Sequence, residues 1–129
     1  VKQMAAVVTC TEETIGVIKK IKWTWTSHTD GVVAAATANA ETTKAYNGEI
    51  VRLVTIPGSG DDKPDDNYSV AVYDEDDADV LMGGGANRDE ANTEQVLASS
   101  LGVVANDKLN LYVSGAGSGN KGTVILYIR

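Results

Sequence analysis

The amino-acid sequence predicts an all-β fold: an antiparallel β-sandwich with jelly-roll-like connections, about eight strands and one irregular segment. Three observations predict it. Short apolar runs rich in Val and Thr are separated by clusters of Gly, Asn and Asp. There are 13 glycines but only 2 prolines. The longest apolar stretch alternates with a period of two residues, the period of a strand with one buried face, and not with the longer period of a helix.

Taken in order, Val7 to Thr11 reads as the first strand, and Ile15 to Thr26 as the second and longest. In the second, Val17, Ile21, Trp23 and Trp25 share one face, and Lys20, Lys22, Thr24 and Thr26 share the other. Lys19 interrupts the inner face and marks a bulge or the strand's end. Ser27 to Gly31 carries turn chemistry, and Val32 to Ala38 follows as a strand weakened by its alanines. Tyr46-Asn47-Gly48-Glu49 reads as an Asn-Gly turn before a strand from Ile50 to Ile56 that is apolar on both faces and ends at Pro57.

The stretch GSGDDKPDDN, Gly58 to Asn67, is a solvated loop. Tyr68 to Tyr73 resumes the strand pattern, and Asp74 to Asp79 closes it. Asp79 to Leu101 is the irregular segment, with short helical turns expected around Gly83-Gly84-Gly85. Leu109 to Ser114 and Thr123 to Arg129 form the last strand pair, joined by the glycine-rich Gly115 to Gly122.

At 129 residues, with no break in composition, one domain spanning 1-129 is expected, with residues 1-11 as an edge strand or an arm exchanged with a neighbour. No basic patch leads into an apolar stretch at the start of the sequence, and the longest apolar run is far too short to span a bilayer, so neither an export signal nor a membrane segment is expected. With 18 acidic against 11 basic residues the chain repels polyphosphate, and nucleic acid is a poor partner.

Catalytic chemistry finds no constellation. Cys10 is the one cysteine and His28 the one histidine, so neither a disulfide nor a Cys or two-His metal site forms within one chain. Cys10 reads as a small buried residue of the first strand and His28 as an exposed turn residue. Gly117-Ser-Gly119-Asn-Lys-Gly122 has the letters of a dinucleotide fingerprint, but a strand follows it where a helix N-terminus is required, so it reads as a hairpin loop. No catalytic residue and no cofactor is expected, and the chain is read as not an enzyme.

The acidic stretch supplies the strongest chemical candidate, a weak surface calcium site at Asp74, Asp76 and Asp79. Ala78 stands where a third ligand belongs and Gly85 where a closing Glu belongs, so a solvated acidic loop is preferred. Trp23 and Trp25 fit a stacking platform for sugars or a core. Because the sequence has no Phe, the core reading is preferred.

The segments TDGVVAAATANA, GEIVRLVTIPGSGDDKPDDNYSVAVYDEDDADVL, GANRDEANTEQV and GTVILYIR carry a resemblance. From about Ile15 to Arg129 the chain resembles small proteins encoded among the head genes of tailed bacteriophages. The pattern is Asp66-Asn67-Tyr68-x-Val70-x-x-x-Asp74-Glu75-Asp76, then Asp79-Val80-Leu81 and Gly85-Ala86-Asn87-Arg88-Asp89. Ala78 departs from it, since relatives often have Gly there. The resemblance implies a capsid cement, or decoration, subunit on the outer capsid surface of the virion, bound to the major capsid protein and working as a homo-dimer or homo-trimer. Within that reading, Arg88, Asp89, Glu90 and Glu94 on the irregular segment are the candidate protein contacts. The alternative is a receptor- or carbohydrate-binding β module on a head fibre or tail, which asks for exposed indoles.

Overall fold

A computed structural model describes residues 5–129. Its eight strands are β1 (Val7–Ile15), β2 (Ile18–Thr26), β3 (Tyr46–Pro57), β4 (Ser69–Tyr73), β5 (Glu94–Leu97), β6 (Val103–Asp107), β7 (Asn110–Ser114) and β8 (Lys121–Ile128). Every pairing is antiparallel, as expected from the alternating pattern. No α-helix occurs among the described residues, and none of their helical turns is long and apolar enough to cross a membrane.

The larger sheet runs β1-β2-β8-β3-β5, with β6 pairing on the other half of β3; β4 and β7 make a second, two-stranded sheet. One core lies between them. It is built from Ile21, Trp23 and Trp25 of β2, Ile50 and Leu53 of β3, and Val124, Leu126 and Ile128 of β8, facing Val70, Val72, Leu111 and Val113 of the smaller sheet. Trp25 meets Tyr68 across the gap at 5.7 Å between ring centroids, and Trp23 Nε1 donates to the carbonyl of Ala40 at 2.9 Å. Both indoles are fully enclosed, so the core reading of the tryptophans holds and the sugar platform does not.

The smaller sheet keeps no open edge. Residues 33–41 bond to β7, through Val33 with Val113 and Ala40 with Leu111, while residues 78–88 bond to β4, through Val80 with Val72 and Gly85 with Val70. In the larger sheet, by contrast, β1 ends one side; Val1 to Met4, part of the segment 1-11 expected as an edge strand or exchanged arm, lie outside the described residues.

Five expectations need correction. The strand expected from Ile15 to Thr26 is split by a two-residue turn at Gly16-Val17, so β1 runs on to Ile15 and Val17 is 70% exposed instead of buried. Gly16 sits at φ +60° with Val17 on the negative side, the arrangement that matches the twist of a tight hairpin. Lys19 therefore lies at a strand end, and its ammonium donates to the carbonyl of Asn47 at 2.8 Å.

Val32 to Ala38 is no strand; only Val33 bridges, and turns fill the rest, consistent with the weak β tendency of alanine. Tyr46 to Glu49 is not a turn but the start of β3. Gly48 stands there because a Cβ would strike the carbonyl of Arg129, whose backbone exchanges two hydrogen bonds with Glu49. β7 and β8 are not a pair, since the glycine-rich stretch between them crosses from one sheet to the other. Ser27 holds that crossing, its Oγ donating to Gly117 O at 2.6 Å and accepting from Asn120 N at 3.0 Å. Finally, the irregular segment contains β5 and a short helical turn at Ala98–Ser100, and it is followed by β6, a strand the sequence reading missed. β5 and β6 alternate only over short lengths, and Leu97 and Val103 point to solvent, which erases their apolar pattern.

Gly122 fixes the depth at which β8 lies against β2, because a Cβ there would come within 2.5 Å of the Trp25 ring. Gly122→Ala is expected to lower unfolding free energy by about 2 kcal/mol through overpacking. Urea unfolding followed by tryptophan emission measures it; a change within about 0.5 kcal/mol, the range of an ordinary surface substitution, contradicts the packing described.

Candidate functional site

The acidic stretch folds into a tight turn after β4. Asp74 Oδ1 accepts from the backbone N–H groups of Asp76 at 2.9 Å and Ala78 at 3.0 Å, and Asp77 takes φ +60°, a conformation that Asp tolerates. Glu75 then reaches the β6–β7 turn and accepts from Lys108 N at 2.9 Å. This brings Asp107, unnoticed in the sequence, beside the loop.

Carboxylate oxygens of Asp74, Asp76 and Asp107 lie within 4.8 Å of one another. Asp107 is held above the usual carboxylate range, by desolvation first and then by the charges of Glu75, Asp74 and Asp76. Asp79, the third expected ligand, is elsewhere. Its Oδ1 accepts from Leu81 N at 2.9 Å and its Oδ2 from Gly83 N at 3.1 Å, so its carboxylate closes the next turn and does not join the group.

The four candidate contact residues form a network within the chain. Arg88 Nη1 lies 3.7 Å from Glu94 Oε1, which also accepts from Asp89 N at 2.7 Å. Asp89 caps its own turn through Ala91 N at 3.0 Å and Asn92 Nδ2 at 2.7 Å, and these bonds hold its carboxyl below the ordinary range. Glu90 pairs with Lys63 at 3.2 Å, tying this loop to the one after β3. Their polar groups thus hold the loop in place.

A further hub escaped the sequence reading. Val8, Cys10 and Glu12 occupy the inward phase of β1, each paired with an inward residue of β2. Glu12 therefore projects a charge toward the interior and gathers donors: Thr43 Oγ1 at 2.7 Å, Thr43 N at 3.0 Å, Tyr46 Oη at 2.8 Å and Lys44 N at 3.3 Å. Burial pushes its pKa up, but the bonds from Thr43, Tyr46 and Lys44 outweigh burial and hold it below the usual value. The signal was legible in principle, as a Glu in phase with a buried Val on a strand requires partners. Cys10, half-buried on the same strand, has its thiol pushed up to about 11 by burial and by the charge of Glu12.

His28 is the turn residue expected, with Nδ1 3.2 Å from Asp30 Oδ1. It borders an open hollow lined mainly by Ala6, Val32, Ala34 and Ala38.

Compared with protein-family models, curated proteins and solved structures, the chain gives no match. Function is therefore argued from its own surfaces.

The most extended of these is the outer face of the larger sheet. Registers align Glu13, Lys20, Tyr127, Arg52 and Leu97 in one row across five strands, and Thr11, Lys22, Ile125, Val54 and Gln95 in the next. The Arg52 guanidinium lies 5.1 Å and the Lys20 ammonium 5.9 Å from the centre of the Tyr127 ring. Arg52 Nε also donates to Gln95 Oε1 at 2.8 Å.

Two outcomes follow. Glu12→Gln is expected to cost on the order of 1 kcal/mol at pH 7, a charge-assisted bond discounted for partial exposure. Because the folded pKa lies below the unfolded one, this stabilisation is complete above the unfolded value and is lost as pH falls through the folded value; the variant and the parent should therefore converge in acid. Denaturant melts at a series of pH values check it, and a gap that persists unchanged in acid contradicts the charge role of Glu12. Native Cys10 should be alkylated at least about 100-fold more slowly than a free cysteine peptide at pH 8, since its thiolate is scarce. Equal rates for native and unfolded protein would refute it.

Proposed function

We propose that this chain is a virion structural protein, a capsid cement (decoration) subunit that binds the major capsid protein on the outer surface of a tailed-phage shell and works as a homo-dimer or homo-trimer. The proposal takes its class from the residue pattern between Ile15 and Arg129 that resembles phage head-gene proteins.

One structural observation carries it further. The larger sheet packs one face against the core and turns outward the other, which carries exposed Lys22, Arg52, Lys121 and Leu97, with β1 as its edge strand among the described residues. Such a face suits attachment to other subunits, and an open edge accepts a strand from a neighbour. The competing module for sugars or receptors asked for exposed indoles, and both indoles are buried. A stiff β body held by packing, with its polar loops tied down internally, fits a part that bridges neighbours without changing shape.

The test is copy number. On purified particles of the phage that encodes it, the chain should be present in hundreds of copies, seen by gel densitometry or mass spectrometry, and should lie on the outside of the shell in a density map. A handful of copies at the tail, or none on the particle, refutes the proposal.

A further inference from the structure

The charges of this chain are segregated. The outer face of the larger sheet carries Lys20, Lys22, Arg52 and Lys121, with the carboxylates of Glu13 and Glu49 on the same phase. None of these four cations lies within 4.0 Å of a described carboxylate, although the chain as a whole is at −7. Lys22, Arg52 and Lys121 are exposed, Tyr127 between them is half-buried, Ile125 and Val54 in the neighbouring row are buried, and Leu97 at 76% exposure closes the row. What this face presents to its surroundings is thus mainly cationic, with Leu97 at one end.

The complementary surface is on the same molecule. Asp74, Asp76 and Asp107, with Glu75 and Asp77 beside them, cluster where the turn after β4 meets the end of β6. Asp76 and Asp77 are exposed; desolvation first, and then the charges of Glu75, Asp74 and Asp76, raise the pKa of Asp107, and cations brought to this cluster would relieve the repulsive part.

We propose that the outer face of the larger sheet is a self-association surface that receives the acidic end of a second copy of this chain. A cationic face cannot oppose itself, so a two-fold pairing of like patches is disfavoured. The contact joins unlike patches, either reciprocally about a two-fold axis or head-to-tail in a ring or open chain. Other acidic occupants would use the same cations but would leave the purified chain monomeric, which makes the commitment to a second copy testable. The proposal does not rest on attachment to a capsid.

The experiment is sedimentation velocity on the purified full chain from about 1 to about 100 µM, at about 20 mM and about 500 mM salt, where the screening length differs several-fold. Association is expected at low salt and its loss at high salt. The variants Lys22→Glu/Arg52→Glu and Asp76→Lys/Asp107→Asn should each weaken self-association by about tenfold or more. Mixed together they should associate again, because each supplies the charge the other lacks. The milder Lys22→Gln/Arg52→Gln variant, checked for native circular dichroism, covers the case in which a reversal disturbs folding. A wild-type chain that stays monomeric across the range at low salt overturns the proposal, and so does an oligomer that both folded variants leave intact.

Discussion

The fold depends on how the space between the two sheets is filled. With no Phe in the sequence, the indoles of Trp23 and Trp25 must supply most of the large aromatic volume. They stand two apart on β2, at the same inward phase, and this sets the rest. Gly122 on β8 leaves room for the Trp25 ring, Tyr68 meets that ring from the opposite layer, and the Trp23 N–H pins the Ala40 carbonyl of the segment that closes the edge of β7. The same pair that looked like a sugar platform is what holds the layers at their spacing.

Filling the interior this way leaves the two sheets unequal. The smaller one is enclosed by backbone bonds from residues 33–41 and 78–88, whereas the larger turns one face outward and, among the described residues, ends at β1. Charge follows the same division. Carboxylates gather on the turns, where Asp and Glu cap backbone N–H groups, and cations gather on the strand face, where Arg52 and Lys20 stand against the Tyr127 ring. The acidic loop and the basic face are thus consequences of turn chemistry and strand chemistry in one small fold, and they give it two ends of opposite sign.

Much of this was legible before any coordinates. The β class, the inward phase of Ile21, Trp23 and Trp25, the solvated acidic loops and the strand at Tyr68 to Tyr73 all follow from local alternation and turn residues, and the structure agrees. The site was less legible. Asp74 and Asp76 come together as expected, but Asp79 turns to its own backbone, because a carboxylate two residues before an N–H finds that partner more readily than a distant one. Asp107 and Glu12 were missed, since each gains its neighbours from strands far away in sequence.

By itself the sequence determined the quantities that are local: strand period, the excess of acid, and which side of β2 faces inward. Tertiary structure alone decided which strands are neighbours. β8 runs between β2 and β3, and β7 leaves β8 for β4, because backbone pairing is chosen by the packing of whole faces and not by proximity along the chain. That choice sets Lys20, Tyr127 and Arg52 in one row, and with it the surface on which the functional argument stands.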